Sequence, residues 1–319
     1  MKDIFHHFNW LAVLIFFSCE KEPSLLITTE LTQWPTMEYP LDNRPNENKI
    51  ALGKRLFSDP ILSLDSSISC SSCHKEEHAM ADNLPVSLGI ENRLGKRNSP
   101  SLWNIGYHPY YMREGGVPSL EMQVLVPVQE HNEMAFNMLL LAKRLNLDSS
   151  YQTEFRNAFN DSATPYTITR AIAQFERTLI SNDAPLDAYL AGNENAISSE
   201  AKSGLALFFG KANCSHCHSG PLFTNFGFYN NGTETSINDF GRGELTLDSS
   251  DFFTYKVPSL RHVKSTAPYM HDGSINSLSD VLNQYNLGGS GHDYTSDEIQ
   301  ELKLNNRELI ELEEFLKTL

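Results

Sequence analysis

The sequence predicts an all-α protein in two related halves, and three observations predict it. Two CxxCH pentapeptides, Cys70-Ser71-Ser72-Cys73-His74 and Cys214-Ser215-His216-Cys217-His218, stand far apart in the chain. A second block recurs at matched spacing downstream of each. Apolar residues fall at helical spacing before both pentapeptides, and no segment of sustained period-2 alternation is convincing as a strand.

Each pentapeptide reads as a covalent c-type haem site. Two thiols three residues apart on one helical turn can add to the two vinyl groups of a porphyrin, while the adjacent imidazole swings under the ring to ligate iron. The competing readings are weaker. A redox CxxC needs a βαβ setting, and a zinc site made of the four cysteines would use neither histidine. The repeated block is seen by laying Pro100-Ser101-Leu102 over Pro258-Ser259-Leu260. Eleven residues after each proline come Tyr111-Met112-Arg113-Glu114-Gly115-Gly116 and Tyr269-Met270-His271-Asp272-Gly273-Ser274, without a gap, and Leu120 and Leu278 then fall in register. Matched spacing downstream of each CxxCH argues for duplication over a coincidence of common turn residues. The expected fold is therefore two cytochrome c-like domains, each with one covalent c-type haem, related by internal duplication.

Taken in order, the chain opens with Lys2, an apolar run from Trp10 to Phe17, then Ser18-Cys19 and the charged Glu20-Lys21-Glu22. The run is too short to span a bilayer and looks like the core of a secretory signal. A small residue before cysteine resembles a bacterial lipobox, which would make Cys19 the lipidated first residue; the alternative is an ordinary signal peptide lost with its cysteine. Either way the protein is exported, and a lipid on Cys19 would anchor it to a membrane facing the periplasm. The expected organisation is a signal peptide of the lipoprotein type over 1–18, a linker over 19–45, a first domain over 46–195 and a second over 196–319. Helices are expected over Ile50 to Phe57, Ile168 to Leu179, Ala201 to Phe209 and Leu302 to Leu319, with turn-rich loops such as Asn225 to Gly243 between them. With 40% hydrophobic residues in 319, real cores are affordable. A net charge of -15 argues against nucleic acid and anionic membrane surfaces as partners and suits a basic redox partner.

The halves differ where it matters. Each iron takes one ligand from its CxxCH histidine, and the sixth position decides whether it stores electrons or does chemistry. Fourteen residues beyond His271 stands Tyr285, whose phenolate can ligate ferric iron; fourteen beyond Arg113 stands Pro127, which cannot. The internal alignment alone thus predicts one closed haem and one open one.

From about Leu52 to Leu319 the chain resembles the bacterial dihaem cytochrome c peroxidase and MauG family. The residues that carry the resemblance are Leu52-Gly53, Leu56-Phe57, Arg97-Asn98-Ser99-Pro100, Gln123, Pro127, Glu133, Phe175-Glu176-Arg177, Pro258-Ser259-Leu260 and the His271-Asp272-Gly273 block. It implies two facing cytochrome c-like domains with calcium between two haems. His74 would be the proximal ligand of the catalytic haem, and Gln123 and Glu133 would line its distal face. The roles make chemical sense, because breaking a peroxide O–O bond heterolytically needs a proton moved from the near oxygen to the far one, and a carboxylate can shuttle it. Asn98 would ligate calcium, with Thr266 and Pro268 adding backbone carbonyls.

Three departures refine the expectation. Ile90 stands where reductively activated members have a capping histidine, so the first haem should be open without prior reduction. Tyr285 stands where they have methionine, as in MauG-like proteins, and an anionic oxygen ligand lowers the potential. Arg113 stands where members usually have an inter-haem tryptophan; Trp103 and Tyr111 are nearby and could substitute in hole transfer, though both read more readily as core aromatics, and Arg113 could instead pair with a haem propionate. His78 and His131 read as solvated, with contact to a propionate or to the distal site as the alternative. The resemblance implies an oxidoreductase that reduces hydrogen peroxide with electrons from a small cytochrome c or cupredoxin. The alternatives are a MauG-like enzyme that oxidises residues of a partner protein, a non-enzymatic electron carrier with both irons closed, and a haem-based sensor.

Overall fold

A computed structural model describes residues 25–233, 238–291 and 293–319; the expected signal segment and Cys19 lie outside them. In chain order the helices are α1 (Leu25–Thr32), α2 (Glu47–Ser58), α3 (Cys70–Cys73), α4 (Leu120–Gln123), α5 (Leu125–Gln129), α6 (Met138–Leu145), α7 (Ser149–Phe159), α8 (Pro165–Glu176), α9 (Pro185–Leu190), α10 (Ser199–Phe209), α11 (Gly243–Thr246), α12 (Leu278–Asn286) and α13 (Asn306–Leu316). One departure from the all-helical expectation is a small ribbon, β1 (Phe228–Tyr229) paired antiparallel with β2 (Tyr255–Lys256).

Two apolar cores organise these elements. The first draws on residues between Leu52 and Leu179, the second on Leu31 and residues between Leu186 and Leu319. Helix α1 therefore docks on the second core, with Leu31 fully buried, so the stretch expected as a linker is in part ordered. Helix α8 starts three residues earlier than its apolar periodicity suggests. Thr164 and Thr167 form a reciprocal capping box there, and Pro165 fills the first turn, where its missing N–H costs nothing.

The same packing device recurs in both cores. Where α2 crosses α8, a Cβ on Gly53 would lie 2.0 Å from the carbonyl oxygen of Ala171; where α10 crosses α13, a Cβ on Gly204 would lie 2.0 Å from that of Glu311. Only glycine permits so close an approach, and Phe175 and Phe315 pack at the two crossings. Turns recur as well. Tyr111 bridges to Val117 and Tyr269 to Ile275, while the hydroxyls of Ser101 and Ser259 donate to the carbonyls of Ala79 and Leu222 at 2.7 and 2.6 Å. The serine of each Pro-Ser-Leu thus staples the loop that follows its CxxCH.

Helix α8 also holds α4. At its C-terminal end Arg177, 6% exposed, forms a forked pair with Glu121 at 2.6 and 3.1 Å, and Asn43 donates to the same carboxylate at 2.7 Å. Removing one partner of such a buried pair would strand a charge, at a cost of roughly 3–5 kcal/mol. Between the halves, Arg97 joins Glu114 at 2.6 Å to Asp239, to which it donates twice, once at 2.8 Å. Tyr110 donates to the carbonyl of Phe226 at 2.9 Å, and Trp103 stacks on His262.

Candidate haem sites

Both CxxCH histidines are set by the same bond. His74 Nδ1 lies 3.0 Å from the carbonyl of Met80, and His218 Nδ1 lies 2.9 Å from that of Phe223. A carbonyl can only accept, so Nδ1 carries the proton in each ring and Nε2 keeps its lone pair for a metal. Burial lowers the pKa of both rings, that of His218 to about 4, which keeps the neutral, ligating form at neutral pH. Cys70, Cys73, Cys214 and Cys217 are all free of disulfides. Two free thiols on one turn beside an imidazole with its ligating nitrogen uncommitted are what a covalently held haem requires, and both sites fit one.

Beyond these shared parts the sites diverge. Near the first, the Glu133 carboxylate bears electrostatically on both Cys70 and Cys73. Burial, and secondarily the neighbouring Glu130, push its pKa up to about 7. Ile90 is 1% exposed, and its N–H donates to the Glu133 carbonyl at 2.9 Å. Gly89 permits this approach, since a Cβ there would lie 2.0 Å from the Asn132 carbonyl oxygen. The segment carrying Glu133 is thus held through its backbone to position 90, where the side chain is aliphatic and buried. Gln123 closes α4, half-buried, and no hydrogen bond joins it to Glu133.

Near the second site, the Tyr285 phenol interacts electrostatically with Cys214 and Cys217, and burial raises its pKa. Asn231 Nδ2 donates to the phenol oxygen at 3.1 Å and lies 3.3 Å from Met270 Sδ. The sequence places Asn231 only within the turn-rich loop from Asn225 to Gly243. Glu176, in the Phe-Glu-Arg block, is a further finding: buried, pushed up to about 8 by burial, its Oε2 without a hydrogen-bond partner among the described residues. His131 is exposed and lies 3.2 Å from Arg93, and His78 ends a short turn after the first motif. Tyr111 is buried in the first core, and Trp103 packs against the same core.

The calcium expectation does not fit. A hard cation at Asn98 needs that residue's oxygens. Here Arg113 Nη2 donates to Asn98 Oδ1 at 2.9 Å, and Nη2 and Nε donate to the Asn98 carbonyl at 3.0 and 3.3 Å. The N–H of Asn98 donates to the His271 carbonyl at 2.8 Å, which brings the segment after Thr266 and Pro268 against it, but the asparagine oxygens are already occupied by a cation. The guanidinium is also committed here instead of being left for a propionate.

Comparison with known proteins places these features. A model of the di-haem cytochrome c peroxidase family matches residues 47–195. The methylamine utilization protein MauG of Methylorubrum extorquens is 38% identical over 289 residues, covering 89% of this chain and 81% of its own. The cytochrome-c peroxidase IdrP1 of a Pseudomonas species is 32% identical over 324 residues, covering 91% and 85%. Among solved structures, that of a MauG-like protein associated with microbial copper homeostasis superposes with a TM-score of 0.84 at 31% identity, covering 89% of this chain and 93% of that one.

Proposed function

Because the chain belongs to the bacterial dihaem cytochrome c peroxidase and MauG family, we propose that this oxidoreductase reduces hydrogen peroxide at an open first haem and shares the oxidising equivalents with a second, tyrosine-capped haem. The reading has each half carry one haem on one duplicated plan, the first over 46–195 and the second over 196–319, supported by the recurring glycine crossings and serine staples. Cys70 and Cys73 would attach the first haem with His74 as its axial ligand; Cys214, Cys217, His218 and Tyr285 would hold the second. When bound, the first haem would supply an iron that can hold peroxide and pass it two electrons, which with two protons reduce it to two waters.

The observation that carries this reading is the asymmetry of the two pockets: a carboxyl poised near pH 7 beside Cys70 and Cys73, a buried phenol beside Cys214 and Cys217. A group with its pKa near the working pH can both take and return a proton. Glu133 would accept the proton of the oxygen nearer the iron and return it to the leaving one. Gln123 would orient the peroxide by hydrogen bonding. The Ile90 wall cannot ligate iron, which keeps the first site accessible in the oxidised protein. Asn231 would stabilise Tyr285 as phenolate by donating to its oxygen.

The electrons would come from a small cytochrome c or cupredoxin in the periplasm, a basic one by the chain's charge of -15. Among the described residues no helix is long and apolar enough to cross a membrane, so attachment would rest on a lipid at Cys19. A second reading, a MauG-like oxidation of residues of a partner protein, is favoured by Ile90 and Tyr285 together. The deciding experiment is an optical and EPR spectrum of the oxidised protein before and after one equivalent of hydrogen peroxide. A mixed high-spin and low-spin resting state that reacts at once supports an open first haem; two low-spin haems inert until one is reduced would refute it. A protein-bound oxidised state that persists without a reductant would favour the MauG-like reading.

A further inference from the structure

All four polar atoms of Asn98 are committed. Its N–H donates to the His271 carbonyl at 2.8 Å and its Nδ2 to the Leu84 carbonyl at 3.2 Å, while Oδ1 and the backbone oxygen accept three hydrogen bonds from Arg113. Arg113 in turn accepts the N–H of Lys256 on its own carbonyl at 2.7 Å. The Asn98–Arg113 unit therefore bonds to the second half at two places, Lys256 on β2 and His271 in the repeated block.

We propose that the Arg113 guanidinium is a built-in cation that replaces a bound divalent metal at the junction of the two halves, making their coupling independent of calcium. Two oxygens of one residue, one amide and one backbone, form a hard-cation donor set, and the planar fork of a guanidinium satisfies both at once. A guanidinium keeps its charge at neutral pH. The charged groups around it are Glu114, Asp272, Arg97 and Lys256. A divalent ion would have to share Asn98 Oδ1 with a like charge. The peroxidase reading is not needed for this inference, which concerns only what joins the halves.

The test uses the haem-loaded protein dialysed against EGTA, then titrated with calcium chloride by calorimetry, with metal content by elemental analysis and EPR of both ferric haems. Wild-type protein is expected to retain no calcium, to give no binding heat, and to show the same EPR signals in EGTA as in calcium. Arg113→Gln empties the cation position while keeping a polar side chain. It is expected to bind one calcium per chain with a dissociation constant of about 10⁻⁴–10⁻³ M, the range of extracellular calcium modules, and to have EPR signals that change on chelation. Stoichiometric calcium on the wild type, or wild-type EPR signals altered by EGTA, would overturn the proposal without recourse to any variant. So would a folded, fully haem-loaded Arg113→Gln protein that binds no calcium.

Discussion

Replacing Glu133 with Gln tests the catalytic reading most directly. The substitution keeps the shape of the side chain and removes its titration. Burial beside the first CxxCH, with Glu130 nearby, raises the Glu133 pKa from an ordinary 4.5 to about 7. That rise corresponds to roughly 3 kcal/mol of preference for the neutral acid. At pH 5 the group is almost wholly protonated and at pH 8 mostly ionised, so a rate that needs the carboxylate as base should climb between them with an inflection near 7. General acid–base groups contribute about 10²–10⁴-fold, or roughly 3–5 kcal/mol of barrier. Stopped-flow bleaching of the Soret band by peroxide, followed from pH 5 to 9, should show Glu133→Gln slowed by about that factor and its inflection gone. Glu130→Gln removes one of the two causes of the shift, so its inflection should move to lower pH with the plateau unchanged. A Glu133→Gln protein with two haems, normal rates and an intact pH profile would take Glu133 out of the mechanism. The linkage sign is also fixed: the raised pKa means the folded state holds the proton more tightly, so this group's contribution to stability is full below pH 4.5 and is lost as pH rises toward 7.

Three further outcomes are expected. Tyr285→Phe should convert the second haem's ferric signal by removing its sixth ligand, and Asn231→Ala should shift that signal less, by weakening the phenolate; an unchanged EPR spectrum in Tyr285→Phe removes the ligand assignment. Gly204→Ala places a Cβ 2.0 Å from the Glu311 carbonyl oxygen and 2.7 Å from Phe315 Cβ. Helices α10 and α13 must then separate, at about 1–3 kcal/mol or more and some 2–4 °C of melting temperature per kcal/mol; an unchanged thermal transition would mean the helices do not meet so closely. Pro127→Tyr should close the first haem, abolishing its high-spin signal and its reaction with peroxide, and retention of both would show that position 127 does not face the iron.

What the sequence made legible was chemistry held in contiguous residues or in a fixed register. The CxxCH motifs carry thiols and imidazole within five residues, and Tyr285 stands out as the counterpart of Pro127 because the two copies keep one spacing without a gap. What stayed hidden depends on distances between segments. Nothing in the local pattern says that Gly53 and Gly204 are glycines because another helix's backbone passes within van der Waals contact. Asn231 looks like a turn residue until the loop folds back on α12. Helix α1 docks on the second core through Leu31, across a gap in sequence that no periodicity spans. The link between Arg113 and Asn98 was hidden as well, because nothing in the local pattern says that the guanidinium fork reaches the asparagine oxygens and not those of a propionate. The ribbon of β1 and β2 is two residues per strand, below what alternation can signal.

The divergence of the halves traces to one position in the register. In the second half α12 runs unbroken from Leu278 to Asn286 with Tyr285 inside it. In the first, the segment beginning at the equivalent Leu120 is split, α4 ending at Gln123 and α5 beginning at Leu125. Pro127 accounts for the split. It lacks the N–H that would bond the carbonyl four residues back, which is that of Gln123, and its ring crowds the same group. A single proline therefore does two things at once. It removes the side chain that would cap the iron, and it interrupts the helix at the residue expected to hold peroxide over it. On the proposed reading the open site would need no separate device to free Gln123 from helical geometry, and Glu133, just beyond α5 with its carbonyl held by the Ile90 N–H, would complete it. Under the proposed roles the catalytic and storage haems would differ by local helix continuity on a shared frame, with the glycine crossings and serine staples kept in both halves while positions 127 and 285 are not.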